Sequence, residues 1–468
     1  MNKRIIVCFF TLIVVISSSP VSAQTPTPAP GPIYVVQSGD TLWDIAIRFN
    51  ATVDDLMAAN NMVSQEIFVG NRLIIPGFPG LSGTLITQPV PFGESLRSLS
   101  RQYRIDPALL IKLNHIVSPT ELYAGYSLVI LQQEAQPALT ARAALPIGDT
   151  LLELAVRQNT DQWTIASLNG LDETLSALPG DVLYLPSGDS TVAATGIPAV
   201  LTSAEVDPLP ITQGATVQIA VTSAQPVTLG GLLVDHPLHF FPQEDGSQVA
   251  LQGVHALTEP GLYPLRIDIT LSDGSVQSFE QLVLVTSGNF INETINGVEP
   301  TTIDPAITEP ENEWLLSLVA PVTSEKYWQG IFRLPVAEDT YCVRSKFGNR
   351  RSYNGGAMLS FHTGLDFGVC SETRPFDIYA PADGVIIYTG LKTVRGNTTI
   401  IDHGQGIYSG LFHQAEMYVS IGDHVTAGQL VGKIGATGRV TGAHLHWEVW
   451  ANGIQVNPTQ WLNEIFPH

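Results

Sequence analysis

Three times before residue 190 the chain spells nearly the same unit. Gly39-Asp40-Thr41-Leu42 recurs as Gly93-Glu94-Ser95-Leu96 and again as Gly148-Asp149-Thr150-Leu151. From each leading glycine an asparagine lies 21 residues on (Asn60, Asn114, Asn169), and a second glycine follows at 31 or 32 (Gly70, Gly125, Gly180). An apolar run closes each copy: Leu73-Ile74-Ile75-Pro76, Leu128-Val129-Ile130 and Leu183-Tyr184-Leu185-Pro186. Three markers in register across three copies define a repeated structural unit. Each copy reads strand, helix, helix, strand. Tyr34-Val35-Val36 is a short strand; Asp40 or Thr41 then caps a helix with Leu42, Ile45, Ala46 and Phe49 at helical spacing. A second helix carries Leu56, Met57 and Ala58, and the closing strand ends at Pro76.

These units, at 33–77, 84–132 and 139–187, resemble the lysin motif (LysM), a small α+β (βααβ) module that binds N-acetylglucosamine-containing glycans. The first copy carries the resemblance best, from Tyr34 through Gly39-Asp40-Thr41-Leu42-Trp43 to Asn60 and Gly70-Asn71-Arg72-Leu73-Ile74-Ile75-Pro76. In the other two, Arg97 and Leu152 stand where Trp43 does. The resemblance implies glycan contacts from the loop after the first strand, which puts Asp40 and Thr41 forward.

Residues 1–23 have the pattern of a secretory signal peptide: Lys3 and Arg4, an apolar stretch from Ile5 to Ile16, then Val21-Ser22-Ala23. The stretch is shorter than the ~20 residues a spanning helix needs, so no integral membrane segment is expected after cleavage. A Pro-rich linker follows at 24–32. Between 198 and 287 the pattern changes to alternation, as in Thr216-Val217-Gln218-Ile219-Ala220-Val221 and Tyr263 to Leu271, with a turn at Ser272-Asp273-Gly274-Ser275. This predicts an all-β, immunoglobulin-like sandwich acting as a spacer, with His236, His239 and His255 as ordinary histidines. Residues 288–334 read as a connector. The balance of 22 basic against 43 acidic residues, a net charge of −21, argues against nucleic acid as a partner.

Seven of the eleven histidines lie from His362 onward, in two motifs that matter: His362-Thr363-Gly364-Leu365-Asp366 and His444-Leu445-His446. Ala443 to Trp450 reads as a strand, so His444 and His446 share one face. His362 and Asp366 are also an even number apart, with Gly364 and Gly368 opposing a helix. Catalytic zinc takes three N or O ligands and keeps one open position. There it lowers the pKa of water towards ~7 and polarises a carbonyl. Four candidates on two strands meet that requirement.

Residues 335–460 resemble the lysostaphin-type zinc metalloendopeptidases, the peptidoglycan DD-metalloendopeptidase family. The match runs through Phe347-Gly348, His362 to Asp366, Ala380-Pro381-Ala382-Asp383-Gly384, Asp402-His403-Gly404, Leu411-Phe412-His413, Gly435-Ala436-Thr437-Gly438 and Thr441-Gly442-Ala443-His444-Leu445-His446. The resemblance implies a mostly antiparallel-β domain in which His362, Asp366 and His446 hold Zn2+, while His413 and His444 serve as acid/base and oxyanion-stabilising groups. It implies a secreted, cell-wall-associated enzyme cleaving amide bonds in peptidoglycan stem or bridge peptides, held to glycan strands by LysM modules. The alternative is a catalytically silent activator of another wall hydrolase, a fate of relatives that lost ligands; here all five positions are filled. Cys342 and Cys370 bracket the first motif, and in an oxidising compartment they are a suspected disulfide, which would stabilise the fold by about 3.5 kcal/mol. Unrelated buried thiols are a second reading, and thiolate ligands on a structural metal a third that lacks paired CxxC spacing. Arg350 and Arg351 read as solvated surface arginines, with contact to substrate carboxylates as the other reading. His403 and His424 read as turn residues without a metal role.

Overall fold

The computed structural model describes residues 31–468 except 79, 119–121, 133–140, 147, 180, 187–196, 199, 338–340, 357–359 and 370–375. The expected signal segment 1–23, most of the Pro-rich stretch, Gly180 and Cys370 therefore lie outside the described residues. The chain forms two compact units, Met1–Leu85 and Ile86–His468. Among the described residues no helix is long and apolar enough to cross a membrane.

In the first unit β1 (Ile33–Val35) leads to α1 (Leu42–Arg48), α2 (Val53–Ala59) and β2 (Arg72–Ile74), and the two strands pair antiparallel with Tyr34 opposite Leu73. Gly39 turns the chain at φ +87°, a conformation that a side chain disfavours. Thr41 then starts α1 by accepting the Asp44 N–H, and Thr52 with Asp55 forms a reciprocal cap on α2. Leu42, Ile45, Ala46 and Leu56 are buried between the helices and the strands.

The second unit opens with two more copies. Copy two runs through β3 (Thr84–Pro89), α3 (Leu96–Tyr103), α4 (Pro107–Asn114) and β4 (Ser127–Gln132). Copy three runs through β5 (Arg142–Ala144), α5 (Leu151–Arg157), α6 (Gln162–Leu168) and β6 (Val182–Tyr184). The repeated asparagine has one physical role in all three. Its side chain ties the end of the second helix to the closing strand through three hydrogen bonds. Asn169 donates to Ile165 O and Tyr184 O, both at 2.8 Å, and accepts from Tyr184 N at 2.7 Å. Asn60 does the same with Leu56 and Ile74, and Asn114 with Leu110 and Val129. Copies two and three are also joined to each other: Arg101 meets Asp181 at 2.9 Å and Arg142 meets Glu94 at 3.2 Å.

Beyond them, β7 (Leu201–Asp207), β8 (Ile211–Thr212), β9 (Thr216–Ser223), β10 (Thr228–Leu233), β11 (His236–Pro237), β12 (Phe241–Pro242), β13 (Gln248–Gly253), β14 (Gly261–Thr270) and β15 (Val276–Thr286) form two sheets. Their orders are β11-β10-β14-β15-β8 and β12-β13-β9-β7. Alternation puts Val217, Ile219 and Val221 of one sheet against Ile267 and Ile269 of the other in a shared core. This sandwich is more than a spacer. Val249 and Leu251 extend into the core of the last domain, and Gln460 bonds both the N–H and the carbonyl of Thr216. At Gly253 a Cβ would lie 2.7 Å from the Ile454 side chain, so the backbones approach as closely as glycine permits.

The remainder comprises β16 (Asn292–Ile295), α7 (Pro305–Val319), β17 (Tyr341–Ser345), β18 (Arg350–Tyr353), β19 (Ser360–Phe361), β20 (Leu365–Val369), β21 (Asp377–Tyr379), β22 (Gly384–Lys392), β23 (Gly396–Gly404), β24 (Ile407–Met417), β25 (His424–Val425), β26 (Leu430–Ile434), β27 (His444–Ala451), β28 (Ile454–Val456) and α8 (Pro458–Asn463). The main sheet is antiparallel, ordered β17-β20-β27-β24-β23-β22-β25. Its apolar face buries Leu445, Trp447 and Val449 in one core. Residues 288–334, read as a connector, supply two working elements. β16 pairs parallel with β18, and Glu311 of α7 accepts the backbone N–H groups of Val394 and Arg395 at 2.9 Å each.

Candidate metal centre

Two strands and a bulge gather five side chains. In the β20–β27 ladder Asp366 lies opposite His446 and Gly368 opposite His444, so the polar face of both strands carries the site. His362 enters just before β20. Between them Gly364 passes so close to β27 that a Cβ would sit 2.1 Å from the Trp447 carbonyl oxygen. On β24, Phe412 lies opposite His446. The register with β23 then slips between the pairs Thr399–Leu411 and Asn397–Gln414, inserting one extra residue. His413 sits in this bulge at φ +62°, a strained conformation for a side-chain-bearing residue that turns its ring toward His444, 4.8 Å between centroids.

The three expected ligands converge. His362 Nε2 lies 2.9 Å from Asp366 Oδ1 and 3.0 Å from His446 Nδ1, and His446 Nδ1 lies 2.7 Å from Asp366 Oδ1. His444 Nε2 approaches the same oxygen at 3.7 Å. The outer nitrogen of every imidazole is engaged elsewhere. His362 Nδ1 faces Lys346 O at 2.8 Å, His413 Nδ1 faces Thr437 O at 2.8 Å, and His444 Nδ1 faces Gly442 O at 2.9 Å. His446 Nε2 faces the Glu448 carboxylate at 3.0 Å. An acceptor on the outside fixes the proton there and leaves the inner nitrogen bare. Bare nitrogens and a carboxylate oxygen at the same point repel one another unless a cation lies between them.

That donor set fits zinc. Tetrahedral Zn–N and Zn–O bonds of about 2.0–2.2 Å put ligand atoms about 3.3 Å apart. The donors here are a few tenths of an ångström tighter and need only spread slightly. His362, Asp366 and His446 would hold the ion.

Burial would lower the His446 pKa, but its hydrogen bonds to Asp366 and Glu448 outweigh it and raise the value, whereas the other three imidazoles favour the neutral form. Burial holds the His362, His413 and His444 pKa values below the ordinary imidazole range, with the neighbouring His444 and His446 adding to the effect at His413. Burial alone would raise Asp366, but His362 and His446 outweigh it and keep the carboxyl well below its usual range. Asp366 uses its other oxygen to bind Arg351 at 3.0 Å, and Arg351 in turn meets Glu293 of β16 at 3.4 Å. This corrects the expectation of solvated arginines: Arg351 is largely buried behind a ligand, and Arg350 bonds Ala256 O and covers the Phe290 ring.

Glu448 was not anticipated, although it stands two residues past His446 on the same strand face. It is 2% exposed and also accepts the Thr363 hydroxyl at 2.5 Å. Arg351, Glu293 and Glu311 left no comparable trace, because they reach the site from 15 to 84 residues away. His403 is a buried strand residue rather than a turn residue, donating to Asp383 O and facing Ser409 Oγ. Trp447 and Trp450 are fully buried. In the first unit Asp40 is engaged by Tyr34, Gln37 and Arg48, and Thr41 by its helix. Cys342 is disulfide-bonded; Cys370 lies outside the described residues.

A cavity of about 700 Å³ opens over Asp366, His413, His444 and His446, with His362 buried behind them. One wall is the main sheet; the other comes from α7 and the loop before it, including Ile303, Thr308 and Asn312.

Comparison with known families matches residues 360–458 to peptidase family M23, and residues 34–76, 90–130 and 147–186 to the LysM domain. The chain carries an M23 peptidase domain behind three LysM domains. The M23 domain aligns with peptidoglycan DD-endopeptidase ShyA of Vibrio cholerae at 34% identity over 125 residues, 27% of this chain and 28% of that protein. It also aligns with the DD-carboxypeptidase/endopeptidase Mpg of Neisseria meningitidis at 38% over 97 residues, 21% of this chain and 22% of that one. The chain thus spans under a third of the length of these relatives. Among solved structures, that of a Pseudomonas aeruginosa protein classed with peptidase M23 gives a TM-score of 0.41 at 25% identity, covering 55% of this chain and 95% of that one.

Proposed function

We propose that this chain is a secreted zinc endopeptidase that cleaves amide bonds in peptidoglycan stem or bridge peptides, tethered to glycan by its LysM modules. The observation that supports it best is the convergence of His362, His446 and His444, each with its outer nitrogen occupied, on one buried carboxylate oxygen, with His413 beside His444. A bound divalent ion supplies Lewis-acid polarisation of the scissile carbonyl and acidifies water. The chain's own residues do the rest. His362 and His446 are oriented by Lys346 O and Glu448, and Arg351 restrains Asp366. His413 and His444, neutral near pH 7, each present a bare Nε2 to the cavity. One takes the proton of the attacking water there, faces the developing oxyanion as an imidazolium and passes the same proton to the leaving amine, while the other stays neutral and lines the reacting groups. All five positions are filled, which favours turnover over a silent activator.

The loop bearing Asp40 and Thr41 is the proposed glycan contact of the first LysM domain, and Cys342–Cys370 the proposed disulfide. Copies two and three direct Arg101, Asp181, Glu94 and Arg142 at each other, which suits a spacer better than free glycan binders. The sandwich's two sheet orders support an immunoglobulin-like reading. The test is digestion of defined cross-linked muropeptides with mass analysis of the products. Wild type with zinc should release single-stem products and His446→Ala should release none. Equal products from both would refute the assignment.

A further inference from the structure

The M23 cavity holds three arginines, and they are not equivalent. Arg351 is matched to Asp366 and Glu293, and Arg395 to Glu311 at 3.2 Å. Arg439, in the loop leading into β27, lines the same cavity as His413, His444 and His446. Among the described residues it has no carboxylate partner. Its Nη1 reaches one backbone acceptor, Thr302 O, at 3.3 Å, and its guanidinium covers the Tyr353 ring at 4.7 Å. A guanidinium has five N–H donors, so most of them are uncommitted. Burial pulls its pKa down and the nearby Arg395 and Arg351 add to that, while Tyr353 and Glu311 pull the other way without reversing it. Such a site is notable on a chain with a net charge of −21.

We propose that Arg439 is a carboxylate subsite of the substrate groove, binding a free peptide carboxylate of the wall substrate beside the bond to be cut. The proposal rests on the endopeptidase reading above, and it deepens that reading by naming a specificity determinant. The planar fork suits a carboxylate bidentately, whereas an amidated substrate offers only a neutral acceptor. Tyr353 backs the guanidinium, and Thr302 holds it from the connector side. The loop that carries it is itself anchored, because the Arg439 N–H donates to Val394 O at 2.7 Å.

The test compares two cross-linked muropeptide dimers that differ only in free or amidated peptide carboxylates. Charge-assisted hydrogen bonds predict that wild type prefers the free acid by about 10- to 100-fold in kcat/KM. Arg439→Gln should bring the ratio close to one, and Arg439→Lys, which keeps the charge but not the fork, should give an intermediate ratio and covers the case of a misfolded glutamine variant. A role confined to packing would lower both rates together and leave the ratio intact. Affinity of the metal-free chain for the same two dimers, by calorimetry, reports on the subsite independently of turnover. If wild type cuts neither dimer yet still binds the acid more tightly, the endopeptidase reading fails and the subsite stands. A wild type that treats both alike in binding and cleavage, or a glutamine variant that keeps the full preference, overturns the proposal.

Discussion

Glu448 gives the sharpest probe of how the M23 site is organised. Its Oε1 takes the outer proton of His446 at 3.0 Å and the Thr363 hydroxyl at 2.5 Å, and the side chain is 2% exposed. Burial would raise its pKa, but His446, Arg395 and Thr363 outweigh this and keep it ionised at neutral pH. Glu448→Gln keeps volume and an acceptor oxygen while removing the charge. A charge-assisted hydrogen bond is about twice as strong as a neutral one, so the loss is about 1–1.5 kcal/mol, roughly tenfold in zinc affinity. Glu448→Ala removes the acceptor altogether. Only the Thr363 hydroxyl, 3.3 Å from the outer nitrogen, is then left to hold the proton of His446 there, and the loss should exceed that of the glutamine variant and approach about 100-fold, the upper range for such outer partners. Competition against a zinc-chelating dye at pH 7.5 measures both, and melting of the metal-free proteins separates this from general destabilisation. If the alanine variant melts earlier but binds zinc within about twofold of wild type, Glu448 only fills space and the orienting argument is wrong.

Three further outcomes follow from the geometry. Gly364→Ala places a methyl 2.1 Å from the Trp447 carbonyl, so β20 must shift against β27; zinc content should fall severalfold with the overall fold retained, and full zinc content would contradict the close approach. Burial lowers the His403 pKa from 6.5 to about 4, so the native state refuses a proton that the unfolded chain accepts. Stability is then complete above about pH 6.5 and falls by about 3 kcal/mol as pH drops to about 4, a slope that His403→Gln should flatten in urea titrations of the M23 domain. Asn169→Ala leaves the Tyr184 N–H and carbonyl without their side-chain partner, and hydrogen exchange in β6 should quicken by a factor matching about 1–3 kcal/mol, with α5 less affected.

Much of this site was written in the sequence because strand alternation is a short-range rule. His444 and His446 share a face of β27 by period two, Asp366 meets them through the pairing of β20 with β27, and His362 joins from just before β20 across the bend at Gly364. The same rule extended two residues would have found Glu448. The repeats were legible for a similar reason: Gly39, Thr41 and Asn60 each serve a local need, a turn, a cap and a helix-to-strand tie. Arg351 was misread because a charge in sequence carries no sign of burial, and its partners Asp366 and Glu293 lie 15 and 58 residues away. The left-handed His413 was equally hidden, since a bulge belongs to the pairing of β23 with β24 and not to either strand alone. The role of α7 depends on Glu311 finding two backbone N–H groups across the cavity, a contact that no periodicity encodes.

The central claim is that His362, Asp366 and His446 hold one zinc ion required for cutting wall peptides. Metal analysis alongside muropeptide digestion, on wild type and Asp366→Ala, addresses it in one experiment. The account predicts close to one zinc per wild-type chain, cleavage that stops on chelation and returns with added zinc, and neither metal nor cleavage in the variant. Undiminished cleavage by a metal-free wild type, or by the variant, would contradict it.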